Sequence, residues 1–265
     1  MSTLHITDTS VASLAPLLAP SLPGVSLDND QVTGFAAQLK AIATTSTRRI
    51  DAWSVERGGL PSQPFAWSAS TARRLLGTAA AQAALSGTTV LSAVQDQIAD
   101  HLIRATRGET RFGSLGHWLG LLSHAELGMV SAEAVNWATQ LLDVADLLGS
   151  SATLCRTDAY FNVSGAQTTL RGRRDFRVGG DDARVVVRVR SGAPTNVAGA
   201  GLRTDLFIET LSHPARQAPQ RFIGLWPDAG ITLSVEGTVE NLRKGARDVV
   251  RVAGAQRLHM VAKAA

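Results

Sequence analysis

The chain is 265 residues long, with 45% hydrophobic residues and a formal charge of +4. That length holds one large domain or two small ones, and the apolar share excludes a disordered chain. A single cysteine, Cys155, allows neither an intramolecular disulfide nor a cysteine-rich zinc site. No apolar run reaches membrane-spanning length, and no basic segment followed by an apolar run opens the sequence. The expectation is a cytoplasmic protein with no membrane contact.

Residues 1–27 are rich in Ser, Thr, Pro, Ala and Leu, and Pro16, Pro20 and Pro23 block any long helix, so a tail or surface strap is expected. Asp28, Asn29 and Asp30 offer caps for a helix from about Gln31 to Trp53. Gly58, Gly59, Pro61 and Pro64 mark a loop over 55–67. Helices follow from Ser68 or Ser70 through Ala84, from Val90 to Thr106, from near Gly113, and from about Ser131 to Leu148, each with apolar residues at helical spacing.

After Gly149-Ser150-Ser151 the period changes from 3.6 to 2. Strands are expected near 154–162, 167–178 and 183–190, then a helix from Gly201 to Leu211. Strands near 220–226 and 230–235 and a helix over 239–250 complete the chain. The fold class is α/β in the broad α+β sense: a helical N-terminal region, then a mixed β-sheet flanked by helices. The expected division is an N-terminal tail and helix over 1–62 and a domain over 63–265, helical over 63–150 and sheet-bearing over 151–265.

The chemistry concentrates in Leu170 to Gly192, where two β-rich runs flank a Gly-Gly-Asp-Asp turn, a hairpin signal. Arg171, Arg173, Arg174 and Arg177 lie in the first run, and Arg184, Arg188 and Arg190 in the second. Asp175 is the one carboxylate among these guanidinium groups. Only Lys40, Lys244 and Lys263 are lysines. Arginine with abundant alanine and glycine is what a GC-rich genome produces, but guanidinium also suits bidentate phosphate contacts. No phosphate-binding G-x-x-x-x-G-K-[ST] loop, G-x-S-x-G elbow or H-E-x-x-H helix occurs. Cys155 reads as a small buried hydrophobe.

Three motifs do fall in an ordered array. Gly113-Ser-Leu-Gly-His117 is G-x-x-x-H at a helix start, Gly172-Arg-Arg-Asp175 is G-x-x-D on a strand, and Arg188-Val-Arg190 ends the next strand. The array resembles the RecB-type branch of the PD-(D/E)XK nuclease superfamily over Gly113 to about Leu211. The resemblance implies a restriction-endonuclease-like core and a Mg²⁺ or Mn²⁺ site with His117 and Asp175 as ligands. The family's D-x-K pair falls on Arg188 and Arg190, so a metal ligand is replaced by a cation. Arg190 keeps only the charge of the lysine. Arg203 and Phe207 stand where the family has Gln and Tyr.

The implied protein is a catalytically degenerate nuclease-like one that binds nucleic acid, DNA in the first instance, in DNA processing or defence, alongside a helicase or other DNA-processing protein. Arg171, Arg173, Arg174, Arg188 and Arg190 would contact phosphates, which orient without specifying sequence. Two alternatives stand beside it. One is an active Mg/Mn-dependent nuclease with a replacement carboxylate from Asp158, Asp181, Asp182 or Glu209. The other is a docking module of a larger complex, with Trp53, Trp67, Trp118, Trp137 and Trp226 as core residues or anchors.

Overall fold

The computed structural model describes residues 5–8, 11–19, 24–42, 48–59, 67–111, 113–163, 165–180 and 184–264. It forms two compact units, residues 1–63 together with 150–265, and residues 64–149. No helix among the described residues is long and apolar enough to cross a membrane.

The N-terminal segment belongs to the sheet-bearing unit. Strand β1 (His5–Asp8) leads into α1 (Val11–Leu18), whose Leu14 and Leu17 are buried. Helix α1 is eight residues long with Pro16 inside it, and the segment expected as a strap contributes an edge strand. Helix α2 (Asn29–Ile42) buries Phe35 and Leu39. The helix expected to reach Trp53 ends at Ile42, and Arg48–Asp51 is instead strand β2. Ile50 decides the difference: it is fully buried, in parallel register with Leu170. Asp51 then caps the short helix α3 (Ala52–Glu56), accepting the Ser54 N–H.

The helical unit holds α4 (Ala69–Ala84), α5 (Val90–Thr106), α6 (Leu115–Leu119) and α7 (His124–Leu148). Each begins at a hydroxyl cap: Ser68, Thr89, Ser114 and Ser123 accept the N–H three residues on. The Ser123–Glu126 pair makes a full capping box, so α7 starts seven residues before the expected Ser131. Small residues let α4 and α7 approach. A Cβ at Gly77 would lie 2.6 Å from the Ala134 carbonyl oxygen.

The remaining elements are β3 (Ala152–Leu154), β4 (Ala159–Val163), β5 (Thr168–Gly172), β6 (Phe176–Val178), β7 (Val185–Val189), α8 (Ala198–Ser212), β8 (Arg221–Trp226), β9 (Ile231–Glu236) and α9 (Val239–Ala264). The strand expected over 167–178 breaks at Arg173, Arg174 and Asp175, and the two halves join different sheets. The larger sheet has order β1-β9-β8-β7-β6-β3 and the smaller β2-β5-β4. In the larger, only β7 and β8 pair in parallel, with α8 as their crossover.

All five residues of β7 are buried, Arg188 included, so neither face of the strand meets solvent. Helix α8 contacts both sheets as well as α3 and α9, and is covered on nearly every side. Its passage beside α9 depends on Gly245, where a Cβ would lie 2.5 Å from the Arg203 carbonyl oxygen and 2.9 Å from Phe207 Cβ.

Gly245→Ala should therefore force α9 away from α8 and lower the unfolding free energy by about 1–3 kcal/mol. Gly34→Ala on α2, where a Cβ meets nothing within 4 Å, should be neutral or stabilise by about 0.5–1 kcal/mol. Urea denaturation of the two variants checks both signs.

Candidate functional site

Asp205 and Glu209 stand one turn apart on α8, so their carboxylates leave the same face of a helix that is otherwise packed with apolar residues. Both are buried, at 0% and 1% exposure. The arginines of the β5–β7 region turn inward to meet them. Arg188 ion-pairs with Asp205 through Nη1, and the Arg173 backbone N–H donates to the other Asp205 oxygen at 3.1 Å. Arg174 Nη1 donates to both Glu209 oxygens at 2.9 and 2.8 Å, and Arg177 Nη2 donates to Oε1 at 2.8 Å. Arg184 brings Nε to 3.8 Å from the same carboxylate.

The cluster extends along the end of β7. Arg190 makes a fork with Glu56 of α3, at 2.5 and 2.6 Å, and lies 5.0 Å over the Trp226 ring. Asp175 is 1% exposed. Its Oδ2 accepts the Val189 N–H at 2.8 Å, its N–H donates to the Val187 carbonyl, and its carbonyl accepts the Cys155 N–H. It ties β6 to β7 and to the residue after β3.

Burial pushes the Asp205 carboxyl up to about 6, opposed by the Arg188 charge and the Arg173 N–H. For Arg188 burial also opposes the charge, but Asp205 and Glu56 outweigh it and hold the guanidinium protonated. The pair is therefore ionised at neutral pH. Each partner is the other's replacement for water, and leaving either alone in this interior is costly.

Asp175, Arg188 and Arg190 lie near one end of the β6–β7 pair. His117 lies in the other unit, on α6, where its N–H donates to the Ser114 cap. The glycines around it have local duties. Gly113 has φ +78°, and a Cβ at Gly116 would lie 2.1 Å from the His101 carbonyl oxygen.

Of the expected phosphate contacts, Arg188 is buried and committed to Asp205, Arg190 to Glu56, Arg174 to Glu209, and Arg171 to Asp158 at 2.5 Å. Arg188 thus lies in the interior and not on a phosphate-binding face, because α8 supplies carboxylates that the strand alternation alone does not reveal. Arg173 is half-buried, and Arg156, just after β3, is exposed. Asp181 and Asp182 lie outside the described residues. Arg203 faces Asp248 at 3.9 Å, and Phe207 packs against Phe35.

Among the described residues, no three His, Cys, Asp or Glu side chains group as a metal-ligand set. The donor set around Asp175 does not fit a divalent cation, since the Arg188 guanidinium already holds the neighbouring carboxylate. Asp205 and Glu56 carry no motif in the sequence. The one available signal was the i,i+4 acid pair Asp205/Glu209 inside an apolar helix, which required a buried basic partner. Cys155 is half-buried, and burial pushes its thiol up to about 11 against the pull of Arg174 and Arg177.

No family model, no curated protein and no solved structure matches the chain.

Arg188→Met and Asp205→Leu should each cost about 3–5 kcal/mol of stability, and the double variant should recover most of that loss. Denaturant melts of the four proteins give the coupling, and simple additivity would refute the pairing. Alkylation of Cys155 at pH 8 should run about 100-fold slower in the folded protein than in the urea-unfolded chain, because the raised pKa depletes the thiolate. Mass spectrometry of iodoacetamide time courses measures the ratio.

Proposed function

We propose that this is a nuclease-like protein of the RecB type, with a restriction-endonuclease-like core, that no longer cleaves and acts by binding nucleic acid. One observation carries the reading. At the position where the resemblance requires a metal-binding carboxylate, the chain has Arg188, and the fold commits that arginine to Asp205 in the interior. The ionic cluster does mechanically what a bound cation would do electrostatically: it neutralises Asp205 and fixes the end of β7 against α8. Asp175 is kept as a strand tie.

Phosphate contacts then fall to guanidinium groups at the rim of the cluster. Arg173 is half-buried, Arg171 and Arg174 retain 19% and 15% side-chain exposure, and Arg156 is exposed. Such contacts would position a DNA strand for a partner such as a helicase or other DNA-processing protein, without reading its sequence. A second reading, a docking module that binds no nucleic acid, is favoured by the same internal pairing, which leaves the hairpin arginines little free charge.

Fluorescence anisotropy of a labelled duplex and a labelled single strand, in EDTA across a salt series, separates the two. Nucleic-acid binding predicts affinity falling with salt at a logarithmic slope of about −0.9 per duplex phosphate contact. It also predicts a loss of about tenfold in Arg156→Glu/Arg173→Glu, with no cleavage when Mn²⁺ is added. Flat anisotropy at low salt would leave the docking reading, and Mn²⁺-dependent cutting would overturn the loss of catalysis.

A further inference from the structure

A cavity of about 470 Å³ opens between α2 and α9 in the sheet-bearing unit, a size typical of small-molecule sites. Its floor is apolar, built from Val32 and Phe35 of α2, Phe207 and Leu211 of α8, and Leu242 of α9. Phe35 and Phe207 meet edge to face, with centroids 4.8 Å apart and planes at 84°, which fixes the floor. Gly34 lines the groove from inside a helix, and a Cβ there would meet nothing within 4 Å. The glycine is thus not required by packing. A larger side chain at this position has open space in front of it.

The α9 wall carries Arg243 and Arg247, one turn apart and exposed. Two like charges at this spacing repel. Among the described residues, no carboxylate lies within ion-pair distance of either. Asp248 is engaged by Arg203 and Arg251, and Glu240 by Lys244 at 2.7 Å with a smaller attraction to Arg247, whose Nε donates to the Arg243 carbonyl at 3.4 Å. This contrasts with the arginines of the α8 cluster, which are met by acids. Asp30, on the α2 wall, is the acid of the lining. It disfavours a dianion and leaves room for one negative charge beside the two guanidiniums.

We propose that this groove binds a monoanionic amphiphile, a medium-chain carboxylate whose head group is held by Arg243 and Arg247 and whose apolar body lies over the Phe35–Phe207 floor. A carboxylate between the two guanidiniums would relieve their repulsion and receive charge-assisted hydrogen bonds. The inference is independent of the nucleic-acid reading, since it uses none of that site's residues.

The test is titration of the full chain with dansyl-undecanoate, followed by displacement with decanoate, decanol and decyltrimethylammonium. A saturable blue-shifted signal is expected, displaced at least about tenfold better by decanoate than by the neutral or cationic analogue. Arg243→Glu/Arg247→Glu should weaken the probe by about tenfold or more. Gly34→Phe should abolish its binding with the melting temperature unchanged, because the new ring fills the groove. Equal displacement by decanol would overturn the proposal and mark a charge-blind apolar groove of the kind that seats a partner helix. Absence of a saturable signal, or binding unaffected by both variants, would overturn it as well.

Discussion

The sheet-bearing unit depends on one buried interaction, the ion pair between Arg188 on a central strand and Asp205 on the crossover helix. Charges taken out of water must be neutralised in place, and here each is neutralised by an element that the chain reaches later or earlier. The pair therefore fixes which face of α8 meets β7 and at what height along the strand. A purely apolar contact would tolerate sliding by a residue or a turn. Glu209 repeats the device one turn further on, taking Arg174 and Arg177, and Glu56 closes it from α3.

This use of arginine changes what the basic character of the chain means. A high isoelectric point invites the picture of a cationic surface, but several guanidinium groups are spent inside against buried acids, where each pair cancels and adds nothing to the external field. The groups that shape the field around this unit are a different set: Arg156 after β3, and the arginines along α9. Charge counted from composition and charge felt by a ligand are separate quantities here, and only the fold separates them.

Much of the architecture was legible in the sequence because the signals were local. The helix starts expected at Ser68 or Ser70, at Val90 and near Gly113 lie within a few residues of the observed ones, and the change of period after Gly149 marks the later strands. What was not legible required partners distant in sequence. Strand β2 forms because Ile50 is buried beside Leu170, a fact invisible in Arg48–Asp51 alone. The single run at 167–178 divides because Arg173 to Asp175 bend out of one sheet and into the other. The same holds for the site: the acids that meet Arg188 and Arg190, Asp205 and Glu56, stand in stretches with no motif.

The sheet-bearing unit is discontinuous, with the helical unit inserted between β2–α3 and β3. Its edge strand β1 pairs with β9, so His5 finds Ser234 across most of the chain. During synthesis the helical unit is fully available once residue 149 has emerged, and its main pairing, α4 with α7, lies within that stretch. The sheet must wait. Until β8 and β9 arrive, β7 lacks its parallel neighbour and α8 the sheet it crosses. Arg188 and Asp205 stand only 17 residues apart, whereas Arg190 must close a loop of 134 residues to reach Glu56. The cluster thus joins one short closure, between β7 and α8, to one long closure back to α3. Charged side chains held in reserve on an unfinished sheet also keep its apolar strands from pairing prematurely with other chains.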